Sequence, residues 1–258
     1  MLSPHPKPIQ LNIQIHPQPD DSACGPTCLH AVYRYFGDDC TLSSVLDSVA
    51  RMPGSETNFP GTLAVMLAND ALSRGYKASL CTFNLEVFDP TWFPNTDAPG
   101  DPMLLAKKLS EQAAHKGELD PRFSAATEAY LEFLDAGGQI YFRDLSSSLL
   151  ASYIRAGLPV LTGLSATYLY RCAREWGPND DYDDIRGTPS GHFVVLDGYD
   201  PARRLVSVAD PLEHNPAMLN QRYTVPMSRL VASIMLGVLT HDSNLLIIKP
   251  TRHAAEAL

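Results

Sequence analysis

Hydrophobic and polar positions alternate along residues 9–15, Ile-Gln-Leu-Asn-Ile-Gln-Ile. A period of two is typical of a half-buried β-strand, so this segment predicts a short strand that leads into a loop over residues 17–23. The period then changes to that of an amphipathic helix. Pro26 lies in its first turn, where a missing N–H costs nothing, and Gly37 is a natural end. The apolar stripe of this helix is formed by Cys28, Leu29, Val32, Tyr33 and Phe36.

Helical patterns dominate the rest of the first half of the chain. Caps, first-turn prolines and terminal glycines set their predicted limits. In chain order, we expect a helix capped by Thr41, a helix over about 62–73, a strand over 76–83, a loop over 89–102, and two helices that begin at the Asp-Pro pairs 101–102 and 120–121 and end near Gly117 and Gly137.

From Gln139 onward the pattern is mainly that of strands. The predicted strands are 139–142, 158–163, 192–196, 205–209 and 244–249, with one helix over about 145–156. With no internal repeat in the sequence, we predict an α+β fold that forms a single domain over residues 1–258. Its first part, about 1–138, is expected to be a mainly helical lobe, and its second part, about 139–258, a mainly antiparallel β lobe.

Composition narrows the function. The 258 residues are 45% hydrophobic, which is enough for a substantial core, and carry a formal net charge of -9. Without a Lys/Arg cluster, this charge argues against nucleic acid as a partner, because binding a phosphate backbone requires several cationic contacts. An acidic surface suits basic or neutral peptides better.

The chain also gives an expectation for its compartment. The proline-rich N-terminus has no apolar stretch like that of a signal sequence, and no segment approaches the roughly 20 apolar residues of a membrane span. Five cysteines are an odd number and do not suggest a disulfide framework. We therefore expect a cytoplasmic protein in a reducing environment, with no membrane partner.

Cys24 carries the first chemical signal, because it opens the first predicted helix in the run Gln18-Pro-Asp-Asp-Ser-Ala-Cys24-Gly25-Pro26. A thiol attacks carbonyl groups as its thiolate, and a helix N-terminus favours that negative charge. The backbone N–H of Cys24 and the side-chain amide of Gln18 could donate to an oxyanion. Gly25 is expected to let a substrate backbone approach closely.

Other interpretations of the cysteines remain open. Small buried hydrophobic roles suit Cys28, Cys40, Cys81 and Cys172 best. A redox dithiol is less consistent with Cys24 and Cys28, since three residues rather than two separate them. Zinc binding by Cys24, Cys28 and His30 lacks a second pair of ligands with suitable spacing.

The second signal lies in the run Gly191-His192-Phe-Val-Val-Leu-Asp197-Gly198-Tyr-Asp200 and the later Asp210. A hairpin centred near Pro201 would set His192 opposite Asp210, with Cβ atoms about 5 Å apart. In the same register Val194 faces Val208 and Leu196 faces Val206. Asp210 could then fix the imidazole tautomer and stabilise the imidazolium.

Two further carboxylates compete with Asp210. In this register Asp197 lies on the other strand face and Asp200 lies in the turn, where aspartate commonly makes local hydrogen bonds. Either becomes a candidate if the register slips by one residue. The acidic run of residues 179–184 is most simply a solvated loop, although it could form a cleft rim that selects basic side chains.

At these motifs the chain resembles the bacteriocin-processing, double-glycine peptidases and their soluble relatives among the papain-like cysteine proteases. The resemblance implies a papain-like fold with a cleft between its two lobes, and hydrolysis of a peptide or amide bond through an acyl-thioester. It also implies that Gln18, Cys24, His192 and Asp210 are oxyanion donor, nucleophile, base and orienting carboxylate, and that no cofactor is needed. Two alternatives stay open: transfer of the acyl group to an amine, and a catalytically silent peptide-binding module.

Overall fold

A computed structural model describes residues 7–52, 61–116, 120–217, 220–240 and 242–251 of the chain. Its helices are α1 (Cys24–Tyr35), α2 (Leu42–Ser48), α3 (Ala64–Ser73), α4 (Pro102–Lys116), α5 (Pro121–Asp135), α6 (Ser147–Arg155), α7 (Ala166–Tyr170) and α8 (Met227–Met235). Its strands are β1 (Ile9–Gln10), β2 (Lys77–Thr82), β3 (Gln139–Tyr141), β4 (Val160–Ser165), β5 (Glu175–Trp176), β6 (Asp181–Tyr182), β7 (Gly191–Asp200), β8 (Leu205–Ala209), β9 (Arg222–Pro226) and β10 (Asn244–Lys249). Short 3-10 segments span Pro90–Trp92 and Leu236–Thr240.

One sheet contains most of these strands. Over the described residues its order is β3-β2-β10-β4-β7-β8-β9, and β1 pairs with β7 at its side. The pairings are antiparallel except for that of β2 with β3. Strands β5 and β6 form a separate small hairpin. The sheet therefore places β7, β8 and β9 side by side.

Helices cover both faces of the sheet. Along β7, Phe193 and Val195 join a cluster that contains core residues of α1, α3, α4 and α5. The alternate residues Val194 and Leu196 join a second cluster with residues of α6, α7 and α8. Such alternation follows from the two-residue period of a strand that is buried on both faces.

The mixed α+β composition is confirmed. The division into a helical lobe and a β lobe near residue 138 is not confirmed, because β2 lies within the predicted helical part yet pairs with β10 inside the common sheet. The loop over 89–102 adjoins the far edge of this sheet, where Gly100 N–H donates to the Ile140 carbonyl of β3 at 2.8 Å. Strands β2, β10 and β4 separate β3 from β7.

Helix limits agree with the expected capping signals. Thr41 accepts a hydrogen bond from Ser44 N–H at the start of α2, and Asp101 and Asp120 accept from the first turns of α4 and α5. Gly37 and Gly137 follow α1 and α5 with positive φ. The predicted end of α4 near Gly117 lies outside the described residues.

The first predicted strand is shorter than expected. The last backbone bond to β7 is that of Leu11 N–H to the Asp197 carbonyl at 2.7 Å, and Asn12 takes a left-handed φ of 57°. Ile13 N–H then donates to the Asp197 carboxylate at 3.1 Å instead of joining a ladder. The alternation of burial persists, but a side chain replaces the strand partner.

The hairpin between β7 and β8 forms with a different register. The prediction that Val194 faces Val208 is wrong: Leu196 faces Val208, and Tyr199 faces Val206. An irregularity between Leu196 and Gly198 contains Asp197 as an extra residue, which is how a β-bulge changes a register. The sequence pattern of apolar positions did not specify this bulge.

Candidate active site

Cys24 is the first residue of α1 and is half-buried. The loop before it is held by Asp20, whose Oδ1 accepts hydrogen bonds from Ser22 N–H at 2.9 Å and Ser22 Oγ at 2.6 Å. Ala23 N–H donates to the Asp20 carbonyl at 3.2 Å. As first residue of the helix, Cys24 has a backbone N–H without an intrahelical acceptor, and the dipole of α1 favours negative charge beside it.

The helix places this thiol beside β7. One turn after Cys24, the Cys28 thiol donates to the Phe193 carbonyl at 3.3 Å, which joins α1 to the residue that follows His192. Cys24 is also among the groups that raise the pKa of His192, which places the thiol close to the imidazole. The nucleophile candidate and the base candidate are therefore neighbours.

His192 and Asp210 are in direct contact, as the sequence predicted. His192 Nε2 lies 2.9 Å from Asp210 Oδ1, and both side chains are buried. Because Nε2 faces the carboxylate, Nδ1 is left for the thiol. Continuing the observed register moves Asp210 two residues along β7 from the predicted pairing, so the imidazole spans a diagonal rather than a direct cross-strand pair.

The contact changes the proton affinity of both groups. Burial lowers the pKa of His192, but the charge and hydrogen bond of Asp210, together with those of Cys24, outweigh burial and raise this pKa to about 10. Burial raises the pKa of Asp210, and the charge and hydrogen bond of His192, with hydrogen bonds from Tyr223 and Tyr170, bring it below its ordinary value. Both shifts favour an imidazolium beside a carboxylate.

Both oxygens of Asp210 are held by donors. Oδ1 receives His192 Nε2 and the Leu212 N–H at 2.9 Å each. Oδ2 receives the hydroxyl groups of Tyr170 at 2.7 Å and Tyr223 at 2.6 Å. The carboxylate is thus fully buried without lacking hydrogen bonds, which is the condition for keeping a charge in the interior.

Gln18 lies in the loop that approaches the same strands. Its backbone N–H donates to the Pro211 carbonyl at 2.9 Å, next to Asp210. Its side-chain Nε2 donates to the Asp20 carbonyl at 3.0 Å, and its Oε1 is buried and has no partner among the described residues. One N–H of an amide nitrogen that carries two is therefore still available to a substrate.

Open space adjoins Gln18. A cavity of about 630 Å³ is lined by His16, Pro17, Gln18, Pro19, His30, Arg34, Asp39, Cys40, Thr41 and Leu42. The rings of His16 and His30 lie 5.5 Å apart at this cavity, and His30 Nε2 is 3.2 Å from the Cys40 carbonyl. The space leads along α1 from the loop of Gln18.

The expectation for Gly25 is wrong. Gly25 is buried, and a Cβ there would lie 2.6 Å from Thr62 Cγ2 and 3.2 Å from both Leu67 Cδ1 and Phe193 Cδ2. The missing side chain makes room for the packing of α1 against α3 and β7, not for a substrate.

The other carboxylates of the hairpin serve elsewhere. Asp197 is buried in the bulge and bonds to Ile13 N–H and Arg222 Nη2. Asp200 accepts from Ala202 N–H at 3.0 Å and Arg203 N–H at 3.1 Å, which is the local turn role expected for it. Asp210 is the member of the set that contacts the imidazole.

The remaining cysteines differ from Cys24. The five cysteines all lie in described parts of the chain and are free thiols. Burial, with the charges of Cys24 and Asp210, raises the pKa of Cys28 well above its ordinary value, so Cys28 remains a thiol. Cys28 and Cys81 are buried as expected, while Cys40 and Cys172 are half-exposed. Within the described residues, no group of three or more His, Cys, Asp or Glu side chains could hold a metal ion, which gives the zinc interpretation no support.

Acidic side chains gather near the histidine. Burial raises the pKa of Glu175, on which Asp180, Asp21 and His192 also act through their charges. Burial and the charges of Asp21 and Asp181 likewise raise the pKa of Asp180. Part of the acidic run therefore lies near the loop of Cys24, and its selectivity for basic substrates stays a prediction.

Sequence reasoning missed the two tyrosines that hold Asp210. Tyr170 ends α7 and Tyr223 lies on β9, two elements that the hydrophobic pattern did not predict. No motif accompanies either tyrosine, so only the pairing of β9 with β8 and the position of α7 bring them to the carboxylate.

Comparison with known proteins relates this fold to peptidases. The chain is similar over 96% of its length to the whole crystallised chain of a protein from Bacillus anthracis assigned as C39-like peptidase, with 14% identity and a TM-score of 0.50. It also matches xylellain, a cysteine protease from Xylella fastidiosa, over 96% of this chain and 87% of that one, with 14% identity and a TM-score of 0.47. Curated protein sequences give no match.

None of the helices in the described parts of the chain is both long enough and apolar enough to cross a bilayer.

The family model described as Peptidase_C39 like family matches residues 10–233, which include the candidate residues from Gln18 to Asp210. The chain therefore belongs to the Peptidase_C39-like family.

Proposed function

We propose that this protein is a cysteine peptidase or amidase that cleaves a peptide or amide bond through an acyl-thioester on Cys24. The observation that carries the proposal is the buried hydrogen bond of 2.9 Å between His192 Nε2 and Asp210, with Cys24 acting on the same imidazole. An activated nucleophile, a base and a group that orients the base are the parts that such chemistry requires. Membership of a peptidase-like family agrees with this reaction class.

In the first half-reaction, Cys24 Sγ attacks the carbonyl carbon of the substrate as a thiolate. A sulfur–carbon bond forms, and the carbonyl electrons move onto oxygen. When the tetrahedral intermediate collapses, the carbon–nitrogen bond breaks and His192 gives its proton to the leaving nitrogen. The raised pKa of His192 means that the imidazole already holds this proton before the attack.

Negative charge on the carbonyl oxygen needs donors that are in place beforehand. The backbone N–H of Cys24, at the free end of α1, is one donor, and Gln18 Nε2 is the other. The hydrogen bonds of Gln18 to Pro211 and Asp20 support this assignment, because they hold the loop to the segment that carries Asp210. Loss of one such donor typically lowers kcat by about a hundredfold to a thousandfold.

In the second half-reaction, water attacks the thioester carbonyl. His192 takes the proton of the water, the carbon–sulfur bond breaks, and a carboxylic acid leaves with Cys24 restored. Asp210 stays ionised throughout and stabilises the imidazolium whenever it forms. The cavity that Gln18 lines adjoins one of the two proposed oxyanion donors.

A peptide library from a digested proteome tests the proposal without knowledge of the substrate. New peptide termini should be formed by the wild-type protein and be absent with Cys24→Ala, because the latter lacks the nucleophile. Cys172→Ala removes another half-exposed thiol and should cleave as the wild type does. Termini that persist with Cys24→Ala would refute the proposal.

The same experiment separates the alternatives. With a small primary amine added, free acids should remain the main products if the protein is a hydrolase, whereas amides as the main products would identify an acyl transferase. Peptide retention with no new termini from a folded wild-type protein would identify a silent binding module. Either result would overturn hydrolysis as the function.

A further inference from the structure

Asp210 lies between two strands whose side chains form hydrogen bonds with its carboxylate from opposite sides. It follows β8, which pairs with β7 on one side and with β9 on the other. From β7 comes His192, which contacts Oδ1, and from β9 comes Tyr223, which donates to Oδ2. A second tyrosine, Tyr170, reaches Oδ2 from the end of α7. One oxygen of the carboxylate therefore binds the histidine, and the other binds the two tyrosines.

We propose that Tyr170 and Tyr223 are positioning residues for the catalytic pair: their hydroxyl groups fix the Asp210 carboxylate and keep it ionised, so that it holds His192 as the imidazolium partner of Cys24. This inference rests on the proposed function and assigns to that reaction two residues outside the predicted site. Neither tyrosine is assigned contact with the substrate.

The geometry gives each tyrosine a specific effect. Both hydroxyl-to-carboxylate distances, 2.7 and 2.6 Å, are those of strong charge-assisted hydrogen bonds. Tyr170 is buried and Tyr223 is half-buried, and the ring of Tyr170 also lies 6.1 Å from that of His192 at an angle of 52°. With both lone-pair directions of Oδ2 occupied, the carboxylate cannot rotate away from the imidazole without breaking these bonds.

The hydroxyl groups also control where the proton resides. A buried carboxylate that loses a donor takes up a proton more readily, either from solvent or from His192. Proton transfer from His192 to Asp210 would remove the charge that stabilises the Cys24 thiolate. The tyrosines stay protonated over the working range, because burial and the charge of Asp210 raise the pKa of each well above its ordinary value.

Other ionisable groups face the pair formed by His192 and Asp210. From α1 come Cys24 and the thiol of Cys28, and from β5 comes Glu175, whose charge acts on His192. Cys28 stays neutral because burial raises its pKa. Glu175 is not replaced in the test variants, so its contribution is constant across them.

The test compares Tyr170→Phe, Tyr223→Phe and the double variant by the pH dependence of Cys24 alkylation with iodoacetamide. Each single variant should alkylate about tenfold more slowly at mildly acidic pH, with the acid limb moved upward by about one pH unit. The double variant should show a larger shift. For any peptide cleaved by the wild type, kcat should fall while KM changes little.

Tyr33→Phe is a matched control. The Tyr33 hydroxyl is also buried and donates to a carboxylate, Asp70 Oδ2, at 2.7 Å. The Tyr33→Phe variant should lose comparable thermal stability and keep the wild-type alkylation profile. An equal shift in this control would overturn the inference, since the effect would then follow from destabilisation alone.

Asp210→Asn provides a second test that does not depend on the stability of the tyrosine variants. In that background, Tyr223→Phe should have almost no further effect on alkylation, because the charge on which it acts is absent. Full additivity of the two changes would contradict the inference. Wild-type profiles in all tyrosine variants, with selective alkylation of Cys24 retained, would overturn it and leave the proposed function intact. Absence of selective Cys24 alkylation in the wild type would instead count against the proposed function itself.

Discussion

Two buried aspartates of the β7–β8 hairpin make an instructive comparison: Asp197 lies in the bulge of β7, and Asp210 directly follows β8. Asp210 and Asp197 are both fully buried. Asp210 contacts His192, which gains and loses a proton, and two neutral hydroxyl groups. Asp197 contacts Arg222, a permanent cation, and the backbone N–H of Ile13. Burial is common to both, so the kind of partner distinguishes the carboxylate of the proposed catalytic pair from a structural one.

The difference also explains the positions of these residues. Asp197 holds the N-terminal segment to the bulge of β7, and Arg222 strengthens this tie by donating to the Ile13 carbonyl as well. Asp210 lies where the N-terminus of α1 meets the start of β7. A third buried carboxylate, Asp242, accepts from Ala64 N–H at the start of α3 and from the Asn244 amide, with no cation among these donors.

Replacing Asp210 should give the largest effect on activity. We expect Asp210→Asn to lower kcat/KM by at least about a hundredfold, because the imidazolium loses the charge that stabilises it. The amide cannot accept all four hydrogen bonds that the carboxylate receives, so the unfolding temperature should also fall, and turnover is therefore compared per folded molecule. The measurement is steady-state cleavage of a peptide found in the library, beside thermal unfolding. Wild-type turnover in Asp210→Asn would remove the distinction between the two carboxylates.

Replacing Asp197 should have the opposite balance. Asp197→Ala leaves Arg222 and the Ile13 N–H without their common partner, so the free energy of unfolding should fall by about 2 kcal/mol, less than for a fully buried pair because the Arg222 side chain is 34% exposed. Turnover per folded molecule should remain that of the wild type. Urea unfolding and active-site titration of the same sample measure the two quantities. A large loss of turnover in fully folded Asp197→Ala would show that the bulge also serves catalysis.

Asp242, the third buried carboxylate, should make the free energy of unfolding depend on pH. Burial raises the pKa of Asp242 to about 6, and the hydrogen bonds from Ala64 and Asn244 offset this only in part. The folded protein then binds a proton that the unfolded chain has released between about pH 4 and pH 6, so this group makes stability fall as pH rises across that window. The fall should amount to up to about 3 kcal/mol.

Asp242→Asn should remove this contribution. Urea unfolding at half-unit intervals of pH should give a flatter curve for the variant than for the wild type over that window. A variant curve parallel to that of the wild type would mean that the Asp242 carboxyl is not responsible.

Local signals predicted much of the fold. The start of α1 around Pro26, the cap at Thr41 and the helix starts after Asp101 and Asp120 depend on a few adjacent residues, and each is present in the structure. The contact of His192 with Asp210 was also predicted, because a single hairpin connects them.

Long-range packing set what the sequence could not reveal. The register of the hairpin depends on the bulge at Asp197, which is stabilised by Ile13 and Arg222 from distant parts of the chain. The sequence predicted that Gly25 lets a substrate approach, but its lack of a side chain instead makes room for Thr62, which lies in another segment of the chain. Tyr170 and Tyr223, which donate to Asp210, lie on α7 and β9, each of which is only five residues long and therefore shows little periodicity. The folded chain brings both hydroxyl groups to the carboxylate.

The protonation state of His192 tests the central claim most directly. Nitrogen NMR of the labelled imidazole, followed from pH 5 to pH 11 in the wild type, should show both ring nitrogens protonated at neutral pH and deprotonation only near pH 10. Cys24→Ala and Asp210→Asn should each move this transition to lower pH. A transition near the ordinary histidine value of about 6.5 in the wild type, unchanged in both variants, would contradict the account.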